Sequence, residues 1–356
     1  LLGYLDQENH GVTGLERAWD TVLAESCDQT AAVCQTTARG RLLGTAAPEI
    51  ITEQQGTGAQ VKLTLDADIQ RLCEGIAQLT MPRGCILVMD TATGEILASV
   101  SMPEYDPGDV ARSIRADDTS LVNRAFATFS VGSVFKVAAA LAAYENGMDW
   151  FTHDCTGSIE VDGQTYRCAL GKAHGTVNLR GALEQSCNTY FVALGQLLGG
   201  MALRAAASEL GFGTAVPIAP DLTAGAGVLP TAKELQSTGQ LSVFSFGQGS
   251  FTATPLQITA MMNTIAAGGT YRTPRFCYGI TDADGTVTEK FQLPAPRTVC
   301  DAATAKVLRS MLQSVVEDGI GYAAKPTGGT AAGKTGTAQT GQFDAAGDEL
   351  LNYWFS

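Results

Sequence analysis

Cys85-Ile-Leu-Val-Met89 and Glu95-Ile-Leu-Ala-Ser-Val100 are two apolar runs joined by Asp90-Thr-Ala-Thr-Gly94. Short apolar runs bounded by turn residues read as strands, and Gly94 suits the positive-φ position of a hairpin turn. Upstream, Val61-Lys-Leu-Thr-Leu65 alternates as a half-buried strand does, Asp66 is a good N-cap, and Ile69, Leu72, Cys73 and Ile76 recur at helical spacing. Downstream, residues 133–146 read as a long apolar helix closed by Gly147 at the C′ position. Helical spacing continues through 179–198, 201–210, 255–267 and 302–316, and the stretches 331–339 and 352–355 read as strands. The order of strands, helices, then strands predicts an α+β fold. An antiparallel sheet is closed by the two ends of the domain and flanked by helices, with an all-helical subdomain between them.

The composition narrows the function. The 356 residues are 45% hydrophobic and 17% charged, which excludes a disordered chain. Gly is abundant at 40 residues but has no G-X-Y period, so many tight turns are expected. Thr45-Ala-Ala-Pro48 and Gly56-Thr-Gly58 read as linker and turn. A formal charge of −13 repels a phosphate backbone, so nucleic acid is not an expected partner. No run of 18 apolar residues and no signal peptide is seen.

Nine cysteines cannot all pair. Cys73 and Cys85 read as buried thiols, while Cys27 with Cys34 and Cys155 with Cys168 are possible pairs. No C-x-x-C occurs and only three histidines are present, so a zinc site is not expected. His174 reads as a structural loop residue, and Trp19, Trp150 and Trp354 as core or edge packing.

Three short motifs bear chemistry. Ser133-Val-Phe-Lys136 places a hydroxyl and an amine on one helical face. The serine needs a nearby base, and a lysine desolvated in an apolar helix becomes one. Ser186-Cys187-Asn188 can point a hydroxyl and a carboxamide into one cleft, or can simply cap the helix that follows. Lys334-Thr335-Gly336-Thr337 offers a cation and hydroxyls for a carboxylate, with Gly336 allowing close backbone approach.

S-x-x-K, then S-x-N, then K-T-G is far more specific in this order than any one motif. The chain resembles the transpeptidase domain of class B penicillin-binding proteins. Supporting strings are Leu63-Thr-Leu-Asp66, Pro103-Glu-Tyr-Asp-Pro107, Asn123-Arg124, Ser245-Phe-Gly-Gln-Gly249 and Thr254-Pro-Leu-Gln257. Gly14-Leu15-Glu16 with Asp20 resembles the family's non-catalytic pedestal. Val131 stands where the family usually has Pro. The resemblance implies a partial pedestal or linker over 1–60 and a penicillin-binding transpeptidase domain over 61–356. It also implies a sheet incomplete at the C-terminus and a membrane anchor upstream of Leu1, so the sequence reads as a truncated or partial one.

The resemblance further implies the roles. Ser133 attacks the D-Ala-D-Ala carbonyl of a peptidoglycan stem peptide, Lys136 accepts its proton, and Ser186 and Lys334 relay a proton to the leaving amine. Asn188 holds the stem-peptide amide, and Thr335, Gly336 and Thr337 bind the terminal carboxylate. β-Lactams acylate Ser133, and neither metal nor cofactor is needed. The implied partner is a membrane glycan polymerase, and the implied location is the extracytoplasmic side of the bacterial cell membrane. A D,D-carboxypeptidase, a class D β-lactamase and a non-turnover β-lactam sensor or scaffold remain as alternatives.

Overall fold

A computed structural model describes all residues except 38, 40, 42–46, 48 and 117–118. Most of the linker reading at 45–48 therefore lies outside the described residues. The hairpin is present as Gly84–Met89 paired antiparallel with Ile96–Met102, with Gly94 at φ 82. Asp90 Oδ1 fixes its turn by accepting from the backbone N–H of Ala92 and Thr93 at 2.9 and 2.7 Å. Asp66 caps the Ala67–Thr80 helix as expected, accepting from the N–H of Asp68 and Ile69. That helix buries Cys73 and Ala77 against Ala98 and Val100 of the hairpin.

The expected strand near Val61 runs over Gln60–Leu63 and pairs with Cys277–Thr281, which also pairs with Val287–Lys290. Ile96 N–H donates to Arg275 O at 2.8 Å, joining this sheet to the hairpin. At the other end of the chain, Thr335–Phe343 pairs antiparallel with Glu349–Phe355. Residues of both hairpins line one cleft of about 1040 Å³, among them Ile86, Leu87, Tyr353 and Phe355, with Phe129 beside them.

The main core lies behind these hairpins. Lys136–Glu145 buries every residue from Lys136 to Ala143, which is why its sequence is apolar on all faces. Asn188–Leu198, Gly200–Glu209, Pro255–Ala266 and Ala302–Glu317 pack around it. A second core joins Leu15 of the Gly14–Ala18 helix, and Trp19 between it and the Asp20–Ser26 helix, to Ile96, Ile218, Leu256 and Phe276.

Several expectations are corrected. The helix expected over 133–146 opens as a 3-10 turn, Gly132–Phe135, because Gly132 enters it at φ 65; the α-helix starts at Lys136. The helix expected over 179–198 breaks into Leu179–Glu184 and Asn188–Leu198, since Ser186 adopts φ 51. The strand expected over 331–339 begins only at Thr335. Residues 152–178, expected within a largely helical region, hold four short strands: Thr152–Cys155, Ser158–Val161, Gln164–Arg167 and Gly175–Asn178. Of the core or edge packing expected for Trp150, the core half fails, since it is 68% exposed and stands edge to face with Phe151 at 6.3 Å. Neither possible cysteine pair forms a disulfide, and Cys27, Cys34, Cys155 and Cys168 are free thiols.

Candidate active site

Ser133 and Lys136 span the 3-10 turn and the first residue of the core helix. In a 3-10 turn, positions i and i+3 eclipse, so the pair faces one way more strictly than on an α-helix. Ser133 remains partly accessible, whereas Lys136 is fully buried. The turn is clamped from behind: Gly132 N–H donates to Gly247 O at 2.7 Å. A Cβ at Gly247 would lie 2.1 Å from Gly132 O, and one at Gly132 would lie 2.6 Å from Thr337 O. The Thr335–Phe343 strand therefore runs directly against the nucleophile turn, and a Cβ at Gly336 would meet Val134 Cγ2 at 2.7 Å. Phe135 anchors the turn below, with ring centroids 4.7 Å from both Phe244 and Phe251.

The two lysines converge on Ser186. Lys136 Nζ donates to Ser186 O at 2.7 Å, Ser186 Oγ at 3.1 Å and Asn188 Oδ1 at 2.6 Å. Lys334 Nζ, also fully buried, donates to Ser186 Oγ at 3.0 Å and Thr335 O at 2.9 Å. Asn188 Nδ2 donates to Arg167 O at 2.9 Å, which fixes the carboxamide's orientation. Burial lowers the Lys136 amine to about 7, against a smaller opposing effect of Cys187 and Cys168. Burial, and then the charge of Lys136, also lowers Lys334 well below the ordinary lysine range. An amine neutral near pH 7 at this spot can take a proton from a neighbouring hydroxyl.

The structure thus brings Lys136, Ser186, Asn188 and Lys334 into one hydrogen-bonded network. Ser133 lies one turn before Lys136, and Thr335, Gly336 and exposed Thr337 form the strand beside them. The cap of the Asn188–Leu198 helix is neither Ser186 nor Asn188 but Cys187, whose sulfur accepts from Tyr190 N–H at 3.5 Å. That frees both flanking side chains to face the lysines. Sequence reasoning missed Arg167, whose contribution is a backbone carbonyl that no side-chain motif signals. It noted the Ser245–Gly249 string but not that Gly247 braces the nucleophile turn.

A serine beside a buried lysine, with a second serine shared between two lysines, defines a serine acyltransferase type of site. The chain belongs to the family of the penicillin-binding protein transpeptidase domain, which it matches over residues 84–356. It is 32% identical to Stage V sporulation protein D of Bacillus subtilis, over 95% of this chain and 53% of that protein. It is 31% identical to penicillin-binding protein PbpB of Mycolicibacterium smegmatis, again over 95% and 53%. The chain spans about half the length of these curated relatives. Among solved structures, penicillin-binding protein 3 of Mycobacterium tuberculosis superposes with a TM-score of 0.78 at 30% identity. That match covers 100% of this chain and 77% of that one, and the same protein was also solved with aztreonam and with ampicillin.

Proposed function

We propose that the chain is the catalytic part of a peptidoglycan D,D-transpeptidase that cross-links stem peptides through a Ser133 acyl-enzyme. The observation that carries this reading is the position of Ser186 Oγ, 3.1 Å from Lys136 Nζ and 3.0 Å from Lys334 Nζ. Neutral Lys136 takes the Ser133 proton as Oγ bonds to the carbonyl carbon between the two terminal D-Ala residues. The backbone N–H groups of Ser133 and Thr337 stabilise the oxyanion. The carbon–nitrogen bond then breaks, and the proton passes from Lys136 through the Ser186 hydroxyl to the leaving D-Ala amine. Lys334 polarises that hydroxyl, Asn188 holds the stem-peptide amide, and Thr335, Gly336 and Thr337 bind the terminal carboxylate. An amine of a neighbouring strand attacks the ester, forming the cross-link and returning the proton to Ser133.

A β-lactam enters the same path, but its leaving amine stays tethered and the ester persists. Relatives named peptidoglycan D,D-transpeptidases and a neighbour solved as an imipenem acyl-enzyme complex support this reading. In this reading residues 1–60 belong to a pedestal and linker and 61–356 to the catalytic domain. An anchor holds the whole protein at the extracytoplasmic face of the bacterial membrane, beside a glycan polymerase. Intact-mass measurement after incubation with a fluorescent penicillin tests it. A stable adduct on the wild type and none on Ser133→Ala is expected. An adduct lost within minutes would replace the transpeptidase with a hydrolase, and an adduct on Ser133→Ala would remove Ser133 from the reaction.

A further inference from the structure

Beside the catalytic loop, four side chains with metal-ligating atoms meet: Cys155, Cys168, His174 and Cys187. They come from separate segments. Cys155 ends the Thr152–Cys155 strand, Cys168 follows Gln164–Arg167, His174 precedes Gly175–Asn178, and Cys187 precedes the Asn188–Leu198 helix. Backbone hydrogen bonds fix their approach, with His174 N–H donating to Cys155 O at 3.1 Å and Cys168 N–H to Gly157 O at 2.9 Å. All three cysteines are buried and the histidine is half-buried.

We propose that these four residues form a closed, tetrahedral site for a soft divalent metal, zinc above others. The spacing carries the assignment. Zinc–sulfur bonds of about 2.3 Å at tetrahedral angles put ligand sulfurs about 3.8 Å apart. Cys155 and Cys168 sulfurs are 3.7 Å apart, Cys168 and Cys187 sulfurs 3.8 Å, and Cys155 Sγ is 3.3 Å from His174 Nδ1. All four ligand atoms lie within 4.8 Å of one another. A disulfide needs sulfurs about 2.05 Å apart. Cys168 Sγ is almost equally far from the other two sulfurs, which singles out no partner for it to oxidise with, whereas one central ion bonds all of them.

The surroundings fit a thiolate set. Cys187 Sγ sits at the N-terminus of an eleven-residue helix and accepts from Tyr190 N–H, so the positive end of the helix faces the sulfur. The Thr189 hydroxyl, a donor within reach of two sulfurs, lies 3.3 Å from Cys187 Sγ and 3.8 Å from Cys168 Sγ. Binding one divalent ion to three thiols and a neutral imidazole releases three protons. The four protein ligands leave no open position, so the ion acts structurally. Its target is the catalytic loop, because Cys187 stands between Ser186 and Asn188. Ser186 sits at φ 51, a backbone state that costs free energy unless its neighbours hold it. A metal on Cys187 ties that residue to the strand that Cys155 ends and to the segment just after Gln164–Arg167.

The experiment is a titration of the chelator-stripped, reduced chain with Co²⁺, followed by Zn²⁺, read by absorption and thermal unfolding. We expect one Co²⁺ per chain, with tetrahedral visible bands and a near-ultraviolet sulfur-to-cobalt transition, displaced by one equivalent of Zn²⁺, and a raised melting temperature. Cys168→Ser and His174→Ala should each weaken binding about 100-fold or more, since losing even a partner that only orients a ligand costs about 10–100-fold. A wild-type spectrum without the sulfur transition overturns the site, and this needs no variant to fold. So does a spectrum unchanged in folded Cys168→Ser, or a disulfide found among these cysteines in the protein as isolated.

Discussion

At the residue scale, the decisive group is Lys136. An alkyl amine sealed in an apolar helix would normally be a liability, yet here it has three acceptors and a pKa brought down to about 7 by burial. Only the neutral amine can accept the Ser133 proton. The second-order rate of penicillin acylation should therefore rise with pH through about 7 and fall about tenfold per unit on the acid side. A rate flat between pH 5 and 8 would remove Lys136 as the base. Linkage runs in the same sense. The unfolded chain keeps this lysine protonated up to its ordinary value, so the folded state gains stability from this group as pH rises above about 7. Lys136→Arg cannot deprotonate, and should slow acylation by about 10²–10⁴ in stopped-flow fluorescence while the thermal melt stays cooperative. The S-x-x-K, S-x-N and K-T-G motifs made these residues legible because their chemistry depends on residue type and order. The distances between them were not legible, because Ser133, Ser186 and Lys334 are brought together only by folding.

At the element scale, the site depends on how closely backbones approach. Gly247 is at φ 84 with no room for a Cβ against Gly132 O, whereas Gly147 is at φ 65 in open space. Gly147→Ala should cost only the left-handed backbone penalty, about 1–2 kcal/mol. Gly247→Ala should cost more and should also slow acylation, because it pushes on the nucleophile turn. Paired urea melts and acylation rates check both, and equal effects of the two would mean that the turn is not braced there. Helix ends marked by strong signals, such as Asp66, were readable from sequence. The break at Ser186 was not, since a serine at positive φ carries no local sequence mark and is held by Cys187 and the lysines around it.

At the scale of the whole molecule, the described residues hold three buried apolar clusters. Trp19 is 6% exposed, packs edge to face against Phe291 at 6.5 Å, and ties the first helices to the core that holds Ile96 and Phe276. Trp19→Ala should destabilise the chain by about 3–5 kcal/mol, read as a lowered urea midpoint. Penicillin acylation at room temperature should stay unchanged, since the nucleophile turn belongs to the main core. A loss of acylation in the still-folded variant would show that the N-terminal segment supports the site directly.

What the sequence determined by itself was the α+β order, the hairpin, the apolar helix and the identities of the reacting groups. Each follows from local periodicity, turn chemistry, or the order of residue types along the chain. Tertiary structure alone decided the rest. It shortened and broke the helices at Gly132 and Ser186. It also gathered Cys155, Cys168, His174 and Cys187 from four segments. The physical reason is common to both: backbone strain and side-chain convergence depend on contacts between residues far apart in the chain, which no local pattern encodes.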